Sequence, residues 1–80
     1  MKAIIHIGLK QGVLDPQGRT IARSLSHLGF EDVIAARQGK TIELDLKYKE
    51  KAEAEVKVKE MCEQLLANTV IENYEIEIVE

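Results

Sequence analysis

The chain has 80 residues, so we expect one domain over residues 1–80, with a small core. Its 45% hydrophobic and 31% charged residues are typical of a soluble globular protein, and no apolar run approaches the ~18 residues of a membrane span. The N-terminus lacks signal-peptide features, and a single cysteine excludes an internal disulfide and favours a reducing compartment. We therefore expect a cytoplasmic location.

The net charge of −3 is unevenly distributed along the chain. Residues 1–40 contain six Lys/Arg and three acidic residues, whereas residues 60–80 contain six glutamates and no basic residue. The acidic end argues against a nucleic-acid-binding protein, which needs a coherent basic face. Three aromatic residues are also too few for a base-stacking platform. We expect neither nucleic acid nor a membrane among the partners.

The first two predicted elements are a strand and a helix with clear ends. Residues 2–9 alternate between apolar and polar side chains, which predicts a β-strand. Asp15 can cap a helix that begins at Pro16, because its carboxylate accepts a backbone N–H and proline there needs no hydrogen bond. Apolar residues then recur at helical spacing until Gly29, a residue typical of a Schellman stop. The sequence therefore predicts a helix over residues 16–28.

A hairpin is predicted next. Residues 31–37 are rich in Val, Ile and Ala but do not alternate cleanly, so they indicate a weaker strand. Residues 38–40, with Gly39 at the centre, are typical of a tight turn. Residues 41–48 alternate and predict a third strand, which so short a turn would pair antiparallel with the second.

Residues 50–67 fit two interpretations. Residues 54–58 alternate with a period of two, as a strand would, but Glu–Lys pairs four residues apart favour a helix that ends at Asn68. Its apolar stripe would consist of Ala54, Val58, Met61, Cys62 and Leu65. A last strand is predicted from the alternation of residues 74–80.

The predicted order is β-α-β-β-α-β, and it indicates an α+β fold. Two right-handed crossovers onto an antiparallel sheet give a two-layer, ferredoxin-like sandwich with both helices on one face. The other face would be open and mostly charged. It would carry Lys2, Ile4, His6, Glu43, Asp45, Glu75, Glu77 and Val79. This fold hosts many functions and decides none of them.

Few residues suggest chemistry. His6 most simply lies on the open sheet face, and His27 complements the dipole at a helix end. Cys62 lies on an apolar stripe, where a buried and inert thiol is the usual case. The carboxylates of the open face could bind a hard cation, but they are more simply its solvated surface. We predict no catalytic residue, no cofactor and no metal site on this chain.

One loop stands out, because residues 11–19 bring two glycines and the only proline to a helix start. Backbone N–H groups there can bind anions, and Gly18 would let a partner approach closely. Asp15 already caps this end, however, and its charge would repel a phosphate. The loop also lacks the spacing of a Walker motif. A capped helix start with a close backbone contact is the simpler interpretation.

Three stretches of the sequence carry a resemblance to a known family. The runs "LKQGVLDPQGR", "RQGKTIEL" and "VKEMCEQLLANTVIENYEIEI" resemble the PurS family, in the family's order and over essentially the whole chain. Gln38 and Thr41 depart from it, since relatives often carry an aliphatic residue and a tyrosine at these positions. PurS is the small subunit of phosphoribosylformylglycinamidine synthase in organisms that divide this enzyme among separate chains.

The resemblance implies a part in purine biosynthesis. The assembled enzyme is an ATP- and glutamine-dependent ligase that converts formylglycinamide ribonucleotide to formylglycinamidine ribonucleotide. In that family the large synthetase subunit holds the ATP and nucleotide sites, and a glutaminase subunit releases ammonia. The small subunit is not the catalyst, but the two others need it to assemble and to work together.

We also expect the chain to pair with itself, as a dimer or a higher oligomer, because its core is small and Ile4 lies on an open sheet face where two sheets could meet. We further expect Gly18 and Arg19 to serve a contact surface in the assembled enzyme, so that Gly18→Leu and Arg19→Glu weaken complex assembly but leave the melting temperature nearly unchanged. The candidate partner contacts are Asp15, Gln17, Gly18, Arg19, Arg37, Gly39 and Lys40.

Two other classes of protein stay open at this point. The strand–loop–helix of the first third resembles ACT domains, regulatory modules that bind amino acids at subunit interfaces. Residues 60–72 have no place in that family. A small hydrolase of the acylphosphatase type would need a phosphate-binding loop with an arginine and an asparagine nearby, and Arg19 alone is poor support for it.

Overall fold

The computed structural model describes all 80 residues. Its elements, in chain order, are β1 (Lys2–Leu9), α1 (Pro16–His27), β2 (Lys40–Asp45), α2 (Lys51–Met61), a π-helical turn (Cys62–Leu66) and β3 (Glu72–Val79). The strands form one antiparallel sheet in the order β2-β1-β3. The predicted α+β class is confirmed, and the arrangement is consistent with a ferredoxin-like sandwich. None of the helices has the length and apolar character needed to cross a membrane.

The core lies between one face of the sheet and α2. Alternate residues of β1 are buried, and Ile5 at the centre pairs with Ile42 on one side and Ile76 on the other. Val58 of α2 and Cys62 at the start of the π-helical turn are fully buried against this face. The period of two in the strand and the helical spacing in α2 therefore meet in one small cluster.

Both ends of α1 have the predicted caps. At the start, the backbone N–H of Gly18 donates to the Asp15 carboxylate at 2.8 Å. At the end, Gly29 has a φ of +101°, and its N–H donates to the Ser26 carbonyl oxygen at 3.0 Å. The N–H of Phe30 donates to the Leu25 carbonyl oxygen at 2.9 Å, which completes the Schellman motif.

The predicted strand over residues 31–37 is wrong, and so is the hairpin after it. These residues pair with no strand, so the sheet has three strands instead of four. Residues 37 and 38 instead make their hydrogen bonds to the β1–α1 loop and to Asp15. The absence of a clean alternation left this segment without one face to bury, and the capped helix start holds it.

The second difference from the prediction concerns α1, which does not pack on the sheet beside α2. Only α2 covers the sheet, and Gly18 is the one buried residue of α1. The radius of gyration is 16.1 Å, against about 12 Å for a compact chain of this length. The chain measures 49 × 26 × 14 Å, so α1 and the segment after it form a projecting arm.

The predicted second helix is confirmed over residues 51–66, but its last turn widens. The N–H of Ala67 donates to the carbonyl oxygen of Cys62, five residues earlier, as in a π-helix. The extra residue in this turn puts Leu66 where Leu65 was expected. Leu65 is consequently 82% exposed, and its predicted place in the buried stripe is wrong.

The widened turn is tied to β3 through a side-chain hydrogen bond. The Tyr74 hydroxyl donates to a Glu63 carboxylate oxygen at 2.6 Å. This bond to a carboxylate, helped by some loss of hydration, raises the pKa of Tyr74 to about 12. Because the tyrosine stays protonated longer in the folded chain than in the unfolded chain, it stabilises the fold fully below about pH 10.

We therefore expect stability to fall between about pH 10 and pH 12, as Tyr74 ionises. Tyrosinate absorbance of the Tyr48→Phe variant, titrated with base, reports Tyr74 alone. Glu63→Gln in that background should move its titration to lower pH, because the carboxylate is gone. An unchanged titration in Glu63→Gln would show that Glu63 does not hold the phenol.

The open face of the sheet has the predicted composition. Across it, Ile4 lies between Glu43 on β2 and Glu77 on β3, and His6 lies between Thr41 and Glu75. Glu77 also approaches the His6 imidazole at 3.7 Å. No group of three or more His, Cys, Asp or Glu side chains is placed to hold a metal ion, so the carboxylates form no cation cage.

Candidate functional site

The start of α1 is organised around the carboxylate of Asp15, which is only 6% exposed. One oxygen accepts the N–H of Gly18 at 2.8 Å, and the other accepts the N–H of Gln38 at 2.8 Å. The bond from Gln38, followed by that from Gly18, lowers the pKa of Asp15; partial burial opposes this, and nearby Arg37 adds to it. Asp15 is thus both the helix cap and the link between α1 and the segment before β2.

A glycine inside the first turn of a helix is unusual, and the contacts of Gly18 explain its presence in α1. It is buried, and an added Cβ would collide with the carbonyl oxygen of Ala36. The segment before β2 therefore crosses α1 backbone against backbone, which only glycine allows. The expectation that Gly18→Leu leaves the melting temperature unchanged is wrong, and the interpretation as a close backbone contact is confirmed.

Arg37 fixes the loop between β1 and α1. Its guanidinium donates to three backbone carbonyl oxygens, those of Val13 at 3.1 Å, Leu9 at 3.2 Å and Lys10 at 3.0 Å. Leu9 ends β1, and Lys10 and Val13 belong to the loop that follows, which has no strand partner of its own. Arg37 thereby supplies the donors that an irregular segment needs.

The remaining candidates line a polar cleft between the end of β1, the start of α1 and the start of β2. Gly39 contributes no side chain, and a Cβ there would meet the Ile7 carbonyl oxygen. Gln17 accepts a hydrogen bond from the Gln38 side chain at 2.8 Å, and Lys40 lies 3.7 Å from Glu72 of β3. The cleft has a volume of about 350 Å³.

The structure thus brings six of the seven candidate contacts together around Asp15 and this cleft, and Arg19 projects from the neighbouring turn of α1. Sequence reasoning missed Gln38 as a member of the site. Its position beside Gly39, at a departure from the family pattern, was the available signal. It also missed Glu72, which only the pairing of β3 with β1 brings near Lys40.

Other groups with chemical potential lie apart from this site. His6 is exposed on the open sheet face, and His27 is exposed at the end of α1. Cys62 is buried in the core, and loss of hydration, followed by the charge of Glu63, raises the pKa of its thiol. A raised pKa keeps the sulfur protonated and unreactive. The site at α1 therefore offers polar contact surface, with its buried groups bonded to one another.

Asp15→Ala should lower the melting temperature at neutral pH by about 5–10 °C, because one helix cap and the bond to Gln38 disappear together. The lowered pKa means that this stabilisation is present above about pH 4 and is lost as the pH falls through the folded-state pKa. Thermal denaturation of both proteins at several pH values measures it. The difference in melting temperature between wild type and variant should become smaller in acid. A difference that does not change with pH would contradict the role of the ionised carboxylate.

The chain resembles known proteins over nearly its whole length. Residues 2–80 match the model of the family described as PurS, phosphoribosylformylglycinamidine (FGAM) synthase. The chain is 44% identical over 77 residues to the FGAM synthase subunit PurS of Methanocaldococcus jannaschii, covering 96% of this chain and 93% of that one. It is also 44% identical over 79 residues to the Bacillus subtilis subunit PurS, covering 99% and 93%.

Solved structures agree with the sequences. The Bacillus subtilis PurS crystal structure superposes with a TM-score of 0.87 at 44% identity, covering 99% of this chain and 98% of that chain. A chain in the structure of PurLQS from Thermotoga maritima superposes with a TM-score of 0.88 at 37% identity, covering 98% and 95%. With nearly its whole length matched in sequence and in fold, the chain belongs to the PurS family of FGAM synthase subunits.

Proposed function

We propose that this subunit lets the large synthetase subunit and the glutaminase subunit of FGAM synthase assemble and exchange ammonia productively. The observation that carries this proposal is the likeness, over nearly the whole chain, to a chain in the PurLQS structure. The enzyme so assembled would use ATP and glutamine to convert formylglycinamide ribonucleotide to formylglycinamidine ribonucleotide. We place this work in the cytoplasm, with residues 1–80 acting as one domain and without nucleic acid or a membrane.

The site at α1 supports a connecting role. Asp15, Gly18, Arg37 and Gly39 hold the loop, the helix start and the segment before β2 in one fixed arrangement. The more exposed Gln17, Arg19 and Lys40 surround this arrangement and are free to contact another chain. The seven candidate contacts thus divide into a rigid base and an exposed rim.

The projecting arm supports self-association. Ile21 and Leu25 of α1 and Leu28, the residue that caps its end, follow one another at spacings of four and three, and Leu28 is 73% exposed. No strand of the same chain covers this stripe. We propose that a second copy covers it, in a dimer or higher oligomer, because the burial would stabilise both arms.

The open sheet face is a weaker place for that pairing. Four carboxylates and one lysine line it around His6 and Ile4. Two copies stacked through this face would bring rows of like charge together, which opposes association. We therefore propose a contact through α1 in place of the expected sheet-to-sheet dimer.

Reconstitution tests the proposed function. The two larger subunits are mixed with and without this chain, and synthesis is measured with glutamine or with ammonium as the nitrogen source. We expect the chain to raise the glutamine-dependent rate strongly and the ammonium-dependent rate less, since free ammonia needs no transfer between subunits. A glutamine-dependent rate that ignores the chain would refute the proposal. Light scattering of the chain alone tests self-association.

The regulatory ACT alternative has no support from the comparisons, which match PurS subunits over the whole chain. Titration calorimetry with a panel of amino acids provides the check. We expect no tight binding by the isolated chain.

A further inference from the structure

An apolar groove bordered by arginines runs between α1 and the segment before β2. It has a volume of about 410 Å³. Its walls include Val13, Leu14, Ala22 and Ile34, and Arg19 and Arg23 lie along its α1 side. We propose that this arginine groove binds a short segment of one of the two larger subunits, one that carries an apolar side chain flanked by carboxylates. This inference rests on the proposed function and names the surface and the chemistry of its contact.

The apolar residues that line the groove favour an apolar side chain as its ligand. Leu14 is 64% exposed and Ile34 is 98% exposed. Leu14 lies between Val13, whose carbonyl oxygen accepts from Arg37, and Asp15, whose carboxylate accepts from Gly18 and Gln38. Because the backbone on both sides of Leu14 is already held, covering this side chain costs little main-chain conformational freedom. Covering Leu14 and Ile34 together removes apolar surface from water. A purely ionic ligand, such as free phosphate, would leave them in water.

The arginines require an acidic occupant. Arg37 is engaged by three backbone carbonyl groups, and the buried Asp15 carboxylate accepts from Gly18 and Gln38. Arg19 and Arg23 have no carboxylate within ion-pair distance. They lie four residues apart, on adjacent turns of one helix face. Two free guanidinium groups beside the apolar residues of the groove can bind two carboxylates that lie on either side of an apolar residue.

The groove is distinct from the surface proposed for self-association. At 3.6 residues per turn, Arg19, Ala22 and Arg23 share one face of α1, and the stripe from Ile21 to Leu28 lies on a roughly opposite face. A second copy on that stripe therefore leaves the arginine groove accessible. One helix can in this way serve a second copy and a different subunit at once.

The experiment measures the dissociation constant of the chain for the purified synthetase subunit and for the purified glutaminase subunit, at low and at high salt. The test variant is Arg19→Glu/Arg23→Glu. Its matched control is Lys51→Glu/Lys59→Glu, which changes the net charge equally on the exposed side of α2. Arg19→Lys/Arg23→Lys keeps the charge and removes the forked donors. A photoreactive residue at position 34, with position 70 as control, identifies the contacted segment.

We expect charge reversal in the groove to raise the dissociation constant for one subunit about tenfold or more, with no change in oligomeric mass. The lysine pair should lose less, the α2 control should bind normally, and salt should weaken the wild type more than the reversed variant. The crosslink from position 34 should fall in a segment rich in Asp or Glu.

Normal binding by the reversed variant would overturn the proposal. So would its dissociation into monomers, or a crosslink from position 34 to a second copy, since either result makes the groove a self-association surface. If the wild-type chain binds neither larger subunit, both the groove proposal and the proposed function are wrong. The wild-type measurement alone distinguishes this result from a failure of the groove proposal only.

Discussion

Gly18→Ala should destabilise the protein, although alanine is the better helix former by about 1 kcal/mol. The added Cβ would collide with the backbone carbonyl oxygen of Ala36, and a backbone atom cannot turn aside as a flexible side chain can. The helix start and the segment before β2 must then separate. We expect a loss of about 1–3 kcal/mol in the free energy of unfolding, measured by urea denaturation.

Ser24→Ala is the matched control for this substitution. Ser24 is exposed on the same helix, and its side chain takes part in no hydrogen bond, so only helix propensity changes. It should leave stability equal or slightly higher. If Gly18→Ala behaves like Ser24→Ala, the two backbones do not cross as closely as the structure has them.

Ile5→Ala should have the largest effect of any single truncation, a loss of about 2–5 kcal/mol. Ile5 is fully buried at the centre of the middle strand, between Ile42 and Ile76 and beneath α2. Domains of this size have only about 5–15 kcal/mol of stability, so the melting temperature should fall by at least about 10 °C.

The preceding residue of β1 provides the comparison. Ile4 has the same side chain, but it points to the open face between Glu43 and Glu77. Ile4→Ala should cost well under half as much, because no cavity forms there. Equal losses at the two positions would mean that the open face is covered, most directly by another chain, and thermal denaturation over a range of protein concentrations would reveal this dependence.

The elements predicted correctly are those whose local sequence pattern agrees with their position in the tertiary structure. Residues 2–9 alternate, and the strand they form buries one face, so pattern and packing coincide. The caps at Asp15 and Gly29 depend on short-range chemistry alone, and both are present. In α2 the charged pairs and the apolar stripe outweighed the local alternation, and a helix formed.

The failures lie where distant contacts decide. Residues 31–37 have strand-forming composition, but the bonds of Arg37 and Gln38 to the β1–α1 loop and to Asp15 hold the end of the segment at α1. Leu65 fits a helical stripe, but one π-helical hydrogen bond moves it to the surface. Neither effect has a signature in local periodicity. The helix start drew attention through Gly18, whereas the partner of that glycine, the Ala36 carbonyl group, became visible only in three dimensions.

A sheet of three strands in the order β2-β1-β3 has two outer strands and one inner strand. Each outer strand exposes unpaired backbone groups, which can recruit strands from other molecules and start aggregation. Both outer strands alternate apolar residues with carboxylates, Glu43 and Asp45 on one and Glu75 and Glu77 on the other. Negative charges at this spacing repel the same strand of a second copy when it approaches the edge. The acidic second half of the chain therefore disfavours aggregation. That protection weakens as the pH approaches the isoelectric point near 5.4, where the protein should be handled at low concentration.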